Sequence, residues 1–308
     1  MTRFADLKTA YRTEGPAMGS AMFSVLLPIA LALVMFGLGL TLTVADFTRV
    51  LKYPKAAVIA LICQMIVLPA ICLGLVLLFG LEGVLAVGMM LLVASPGGTS
   101  ANLFSHLAGG DVALNVTLTA INSVLAVFTL PLVVGLSMAN FLDDGASVGL
   151  QPVKFIQVFA IVLIPVVIGM AVRHRFTGWA ERMRKPVKIA SAVVLVLVII
   201  AATAQEFQTL VDNIGTLGPV ALSLSVLSLA IGYYVPRLFR VDRGQSIASA
   251  MEIGIHNATL AIAVAISVLG SEVMAVPAGI YGVLMFFPAG IAAYLLSRTK
   301  ESTAPVQV

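Results

Sequence analysis

The sequence predicts an all-α membrane protein with nine transmembrane helices, and three observations support this fold class. Of the 308 residues, 60% are hydrophobic and 10% are charged, whereas soluble domains average about 45–50% apolar and about 25% charged residues. Nine apolar stretches are long enough to cross a bilayer, which takes about 20 residues in a helix. The sequence does not show the alternation that is typical of transmembrane strands. This composition excludes a soluble enzyme, a nucleic-acid-binding protein and a disordered chain.

The nine predicted helices are called segments A to I, and they fill most of the chain between residues 19 and 297. Segment F carries almost no polar atoms and is expected to face lipid, whereas B, C, D and H carry polar groups at membrane depth. Residues 1–18 are expected to form an external tail and residues 298–308 a cytoplasmic tail. The segments are A 19–42, B 53–80, C 83–107, D 111–140, E 151–173, F 187–206, G 214–236, H 244–270 and I 273–297.

Basic residues predict the orientation of these segments in the membrane. If nine helices alternate, 14 of the 18 lysines and arginines lie in the A–B, E–F and G–H junctions or after I, all on one side. Lysine and arginine are enriched in cytoplasmic loops, so this side is expected to be cytoplasmic. The prediction is a multi-pass protein of the inner (plasma) membrane, with its N-terminus outside and its C-terminus in the cytoplasm.

Segment C is interrupted near its centre by Pro96, Gly97 and Gly98, which stand between Ser95 and Thr99. Proline removes a backbone donor, and the two glycines remove the side chains that favour a regular helix. Non-helical backbone at membrane depth is tolerated where it is buried or lines a cavity. The interruption predicts a broken helix whose freed backbone groups bind an ion or an anion. A kink packed against neighbouring helices is the structural alternative.

Segment H carries Glu252, Gly254, His256 and Asn257 at membrane depth. A carboxylate in a transmembrane segment is expensive and usually functional, and Glu252 and His256 are four residues apart, so they can share a helix face. The alternative is a buried Glu–His pair that only joins helices. Two such ligands are too few for a transition-metal site, whereas the oxygen-rich group suits a hard cation.

Segments D and B add neutral oxygen donors to this inventory. Asn115, Thr119 and Asn122 recur at i, i+4 and i+7 in D, and Gln64 lies five residues before Pro69 in B. Interhelical hydrogen bonding alone would explain the stripe in D, and Gln64 taken alone would be structural. Four segments that together supply neutral oxygens and one acid suit a dehydrated Na⁺. Interruptions in both halves of the chain, in C and H, are typical of inverted-repeat secondary transporters with a midplane site.

Three motifs that occur in this order resemble the bile acid:sodium symporter family, and the chain is identified as a bacterial member. They are residues 35–42 with Asp46 and Phe47, residues 95–102, and residues 252–257. The resemblance implies a 5+5 inverted-repeat fold that lacks its first helix and has two broken, crossing helices. It divides the transmembrane domain 19–297 into a panel domain, 19–42 and 151–206, and a core domain, 53–140 and 214–297.

The resemblance also implies the binding residues. One sodium site would use Asn102, Asn115, Thr119 and Glu252, with Ala101 where the family often has serine. A second sodium site would use Gln64, Glu252, the carbonyls of Ile253 and Ile255, and His256. Many relatives have glutamine in place of His256, and imidazole is a poor Na⁺ ligand; one or two ions, or a proton component, therefore remain open. The substrate would lie near Thr99, Ser100 and Asn257.

The predicted function is sodium-coupled import of a small organic anion by alternating access. The anion would be bile-acid-like, pantoate-like or a related carboxylate, Na⁺ would be the coupling ion, and no other cofactor is expected. The alternatives are a proton-coupled or efflux carrier of organic anions on the same fold, and a membrane sensor that does not transport. An intramembrane enzyme is disfavoured because no second acid in the core segments pairs with Glu252.

Overall fold

The computed structural model describes residues 53–142, 152–183 and 207–298, together with a few positions between 32 and 40 and between 186 and 193. Most of predicted segments A and F, the tail 1–18 and residues 299–308 lie outside the described residues. In the described part, the secondary structure is helical apart from turns and one isolated β-bridge. The predicted all-helical character is therefore confirmed there.

Within the described residues, eleven α-helices are numbered in chain order. A π-helical turn, Cys63–Val67, joins α1 to α2, and a 3₁₀-helical turn, Val273–Ala275, directly precedes α10. The α-helices are α1 Pro54–Ile62, α2 Leu68–Leu78, α3 Gly83–Ala94, α4 Thr99–Leu107, α5 Val112–Phe141, α6 Pro152–Arg175, α7 Phe207–Leu238, α8 Arg243–Gly254, α9 Ala258–Ser267, α10 Val276–Leu284 and α11 Phe286–Arg298.

Segments B to E and G to I coincide with these helices within a few residues at most ends. Among the described residues, three helical stretches are long and apolar enough to cross a membrane: Pro54–Leu78, Val211–Leu238 and Val273–Arg298. The two halves of α5 meet at a bend of 53° and make a fourth if they are one span. Pro131 lies inside α5. Because proline has no backbone N–H, the carbonyl four residues earlier, which lies at the bend, lacks its usual helical donor. The total of nine spans stays a prediction.

One order of elements occurs twice in the described part. A long helical stretch, a broken helix and a second long stretch follow one another in α1–α2, α3/α4 and α5, and again in α7, α8/α9 and α10–α11. The interruptions between α3 and α4 and between α8 and α9 occupy the same place in each set. Both predicted broken helices are therefore present.

The backbones of α7 and α8 approach closely at Gly232. A Cβ built there would lie 2.7 Å from the Cα of Ala250 and 3.1 Å from the carbonyl oxygen of Ser249. Real Cβ atoms do not approach backbone this closely, so glycine permits the contact. This packing fixes the position of α8, which carries Glu252, against the core.

Replacing Gly232 with alanine is expected to lower the thermal unfolding temperature of the protein in detergent. Overpacking a tight contact costs about 1–3 kcal/mol in free energy of unfolding. Gly218→Ala is the matched control, because Gly218 lies on the same helix and has nothing within 4 Å of its built Cβ. Equal unfolding temperatures for the two variants would contradict the close approach of α7 and α8.

Candidate functional site

The two helix interruptions lie side by side and pair as a short antiparallel segment. The N–H of Gly98 donates to the carbonyl of Ile255 at 2.7 Å, and the N–H of Asn257 donates to the carbonyl of Pro96 at 2.8 Å. Buried backbone groups need partners, and each break supplies partners for the other. This pairing explains how non-helical backbone is stable here. The place where the breaks pair is called the helix crossing below.

The carboxylate of Glu252 lies against the backbone of Gly97 at the helix crossing. The N–H of Gly97 donates a hydrogen bond to this carboxylate. A Cβ built on Gly97 would overlap the carboxyl carbon and both oxygens of Glu252. Gly97 is therefore required for close approach as well as for breaking the helix.

Glu252 is fully buried, and its hydrogen-bond donors are neutral. The hydroxyl Oγ1 of Thr119 donates to Oε2 at 2.5 Å, and Nδ2 of Asn122 donates to Oε1 at 2.9 Å. The described part of the chain buries no lysine or arginine. A buried carboxylate without a cationic partner is strongly unfavourable, so this carboxyl group needs either a proton or a bound cation to neutralise it.

Helices α5 and α8 run side by side in matching register. The backbone N–H of Asp111 donates to the carbonyl of Gly244 at 2.9 Å. One turn later, Nδ2 of Asn115 donates to the carbonyl of Ala248 at 2.7 Å, and after another turn Thr119 reaches Glu252. Because partners recur every four residues on both helices, the polar stripe of α5 faces the acid of α8.

Several buried acceptor atoms of the predicted site residues have no hydrogen-bond donor. The amide nitrogens of Gln64, Asn115 and Asn122 each donate to an oxygen, which leaves their amide oxygens as acceptors. Unsatisfied buried polar groups are uncommon and call for an explanation, and a bound cation would satisfy acceptors but not donors. Among the described residues, the buried amide and imidazole acceptors without a partner are Gln64 Oε1, Asn102 Oδ1, Asn115 Oδ1, Asn122 Oδ1 and His256 Nε2.

Gln64 reaches the helix crossing from the π-helical turn between α1 and α2. Its Nε2 donates to the carbonyl of Ser95 at 3.2 Å. A small pocket beside this contact is lined by polar groups, including Gln64, Ser95 and Asn122, and by apolar side chains of α2 and α5. π-Helical turns occur frequently at functional sites, and this one directs a buried amide toward the first broken helix.

The remaining predicted site residues lie at or next to the helix crossing. Ile253 and Gly254 form the buried end of α8, and the carbonyl of Ile255 is engaged by Gly98. Asn102 lies on α4, with its Oδ1 buried, and Ser100 lies half-buried in the first turn of α4. The Oδ1 of Asn257 accepts from the N–H of Leu260 at 3.0 Å and caps α9.

Thr99 begins α4, but its side chain lies outside the described part of the structure. The backbone of Thr99 directly follows Gly98, the N-cap of α4. Because its side chain is not described, the predicted contact between Thr99 and the substrate stays a prediction.

Two residues of the site were not assigned from the sequence. Asn122 stood in the polar stripe of segment D but was not included among the ligands, although its spacing from Asn115 was the available signal. Tyr281 lies on α10, and its hydroxyl donates to the carbonyl of Gly254 and contacts Nδ1 of His256, each at 3.0 Å. The sequence carries no signal for this contact, because it joins segments H and I only after they have packed.

The chain is similar to known proteins over most of its length. Residues 28–213 match the model of the family described as "Sodium Bile acid symporter family". The chain is 29% identical over 281 residues to the "Uncharacterized sodium-dependent transporter YocS" of Bacillus subtilis (strain 168), which covers 90% of this chain and 84% of that protein.

Animal relatives match over shorter regions. The "Ileal sodium/bile acid cotransporter" of Oryctolagus cuniculus is 30% identical over 129 residues, 42% of this chain and 37% of that protein. The "Sodium/bile acid cotransporter 4" of Homo sapiens is 37% identical over 109 residues, 35% of this chain and 25% of that protein. These relatives are named as transporters, and the family model spans more than half of the chain. The chain therefore belongs to the sodium bile acid symporter family, a family of membrane transporters and not of enzymes.

Proposed function

We propose that this protein is a sodium-coupled symporter that imports a small organic anion by alternating access. The observation that carries this proposal is the buried Glu252 carboxylate, together with five buried amide and imidazole acceptor atoms of the candidate site that have no hydrogen-bond donor. Oxygen ligands with one negative charge suit a hard monovalent cation. The relatives named as sodium-dependent transporters and sodium/bile acid cotransporters support Na⁺ as the ion and an organic anion as the substrate.

The proposed ligands fall into two groups that share Glu252. Asn102, Asn115 and Thr119 would bind one Na⁺ with it, and Gln64, the carbonyls of Ile253 and Ile255, and His256 would bind a second. Asn102, Asn115, Gln64 and His256 each have an unpartnered acceptor atom, which supports their role as ligands. The side chain of Ala101 has no oxygen, which leaves the first group one side-chain ligand short of the family pattern.

The positions of these ligands in the fold suggest how Na⁺ binding and anion binding would be coupled. They lie on α4, α5 and α8, in the interruption between α8 and α9, and on the turn between α1 and α2, so bound Na⁺ would hold both broken helices in one arrangement. The first turns of α4 and α9 lie at the helix crossing and present Ser100 and Asn257. Helix N-termini favour anions. A carboxylate bound there would therefore depend on an ion that fixes the same backbone.

The proposed architecture has nine helices in a 5+5 inverted repeat that lacks its first helix. The repeated order of a long, a broken and a long helical stretch supports the repeat. Rocking of the core domain, 53–140 and 214–297, against the panel domain, 19–42 and 151–206, would change access to the site. The protein would lie in the inner membrane, with its N-terminus outside and its C-terminus in the cytoplasm.

Uptake into vesicles tests the proposed function directly. Labelled taurocholate and labelled pantoate serve as probes of the two ends of the expected substrate range. We expect an inward Na⁺ gradient, but not an equal K⁺ gradient, to accelerate accumulation of at least one probe. Equal uptake with and without the Na⁺ gradient would contradict sodium coupling, and acceleration by a proton gradient alone would favour the proton-coupled alternative.

Replacing His256 with glutamine is expected to strengthen the Na⁺ dependence of transport. An amide oxygen is a harder ligand than an imidazole nitrogen. A gain of about 1 kcal/mol, the size of one net hydrogen bond, corresponds to about a fivefold lower half-saturating Na⁺ concentration. The measurement is a Na⁺ titration of uptake, and an unchanged titration would show that His256 does not contact the ion.

A further inference from the structure

The two ring nitrogens of His256 are both buried, but they have different surroundings. The side chain is 1% exposed, its Nδ1 lies 3.0 Å from the hydroxyl oxygen of Tyr281, and its Nε2 is buried without a partner. The same hydroxyl lies 3.0 Å from the carbonyl oxygen of Gly254. The two rings meet edge to face, with centroids 5.3 Å apart. Both orientation and hydrogen bonding of the imidazole are therefore set by Tyr281.

Proton counting decides between the two neutral tautomers. The phenol has one proton, and the Gly254 carbonyl can only accept. If the phenol donates to Gly254, then Nδ1 of His256 must be the N–H that donates to the phenol oxygen, and only the Nε2 lone pair lacks a partner. In the opposite tautomer, the Nε2–H would be a donor without an acceptor. The phenol would then have to donate to Nδ1, and the Gly254 carbonyl would lose its donor. A buried polar atom without a hydrogen-bond partner costs free energy. The tautomer that leaves one such atom is therefore favoured over the tautomer that leaves two.

We propose that Tyr281 is a positioning residue that holds His256 in the Nδ1–H tautomer, which makes the Nε2 lone pair available as a neutral ligand for the coupling ion. This inference rests on the proposed sodium-coupled function. Histidine ligands of metals commonly donate their second ring N–H to a fixed partner, which sets the tautomer and the ring orientation. Here that partner is a phenol that also ties α10 to the end of α8. His256 thus replaces the acceptor function of glutamine instead of abolishing the second ion site.

Nitrogen NMR of ¹⁵N-histidine-labelled protein reads the tautomer directly. The chain has three histidines, and the His256 signals are those missing from the His256→Gln variant. We expect the wild-type protein to show a protonated Nδ1 and an unprotonated Nε2. We also expect Na⁺, but not K⁺, to shift the Nε2 signal. An Nε2–H tautomer in the wild-type protein would overturn the proposal without any variant having to fold.

Tyr281→Phe removes the hydroxyl and keeps the ring, so it separates positioning from packing. We expect the His256 signals to show the Nε2–H tautomer, and we expect about a fivefold rise in the Na⁺ concentration that gives half-maximal thermal stabilisation. In a His256→Ala background, the same change should leave this concentration unaltered. Tyr234→Phe is the control, because Tyr234 is an exposed tyrosine of α7.

The outcomes distinguish this inference from the function on which it rests. If Na⁺ stabilises the wild-type protein but Tyr281→Phe changes neither the tautomer nor the Na⁺ titration, the role of Tyr281 is wrong and the proposed function stands. An equal effect of Tyr281→Phe in the His256→Ala background would indicate a merely structural role and would also overturn the inference. If Na⁺ affects neither stability nor the Nε2 signal of the wild-type protein, the proposed function fails and the ligand role of His256 fails with it.

Discussion

Replacing Glu252 with alanine is expected to abolish sodium-driven uptake while the protein still inserts into the membrane. Within the described residues, Glu252 is the one buried carboxylate, and it supplies the negative charge of both proposed ion positions. Two unit charges 4 Å apart interact by about 4 kcal/mol at an effective dielectric constant of 20. We therefore expect the affinity for Na⁺ to fall by at least about a hundredfold.

The measurement for Glu252→Ala is uptake driven by a Na⁺ gradient, with membrane insertion checked by the amount of folded protein in the membrane fraction. Glu82→Ala is the matched control, because it removes an exposed acid just before α3. We expect this control to transport normally. Flux that remains Na⁺-dependent in Glu252→Ala would refute the role assigned to the carboxylate.

Replacing Gly97 with alanine is expected to produce the second largest effect. A methyl group at this position overlaps the carboxyl group of Glu252, and the backbone on both sides is held by the Gly98–Ile255 and Asn257–Pro96 hydrogen bonds. The carboxylate must therefore move away from Thr119 and Asn122. Overpacking costs about 1–3 kcal/mol, so we expect Na⁺-driven uptake to fall by about tenfold to a hundredfold.

A titration of uptake against Na⁺ distinguishes the effect of Gly97→Ala on the site from general damage. We expect a higher half-saturating Na⁺ concentration, since the displaced carboxylate is the ligand. Gly279→Ala in α10 is the control, because its built Cβ has nothing within 4 Å. If Gly97→Ala and the control gave the same Na⁺ titration, Gly97 would not position Glu252.

Most of the described helices and both breaks could be predicted because local sequence dictates them. Long apolar runs give membrane helices, and Pro96 with its two glycines ends one helix regardless of its surroundings. The break after Gly254 has no proline, and polar residues at membrane depth were its main signal. The structure places it at residues 255–257, between α8 and α9.

The contact between Thr119 and Glu252 was expected from the sequence, but most of the hydrogen bonding around them was not. The spacing of Asn115 and Thr119 showed that they share a face, yet the partner of Asn115 is the backbone of Ala248, which no side-chain pattern reveals. Tyr281 reaches His256 from a different segment, and such contacts depend on packing rather than on periodicity. By residue type alone His256 is a poor Na⁺ ligand, whereas its hydrogen bond to Tyr281 supports an available Nε2 lone pair.

Equilibrium binding of ²²Na⁺ to the purified protein in a K⁺ medium tests most directly whether the helix crossing is a sodium site. It requires no knowledge of the transported anion and compares the wild-type protein with Glu252→Ala and with the Glu82→Ala control. We expect saturable binding to the wild-type protein and to the control, and loss of that binding in Glu252→Ala. Saturable binding that survives in Glu252→Ala, or no saturable binding to the wild-type protein, would contradict it.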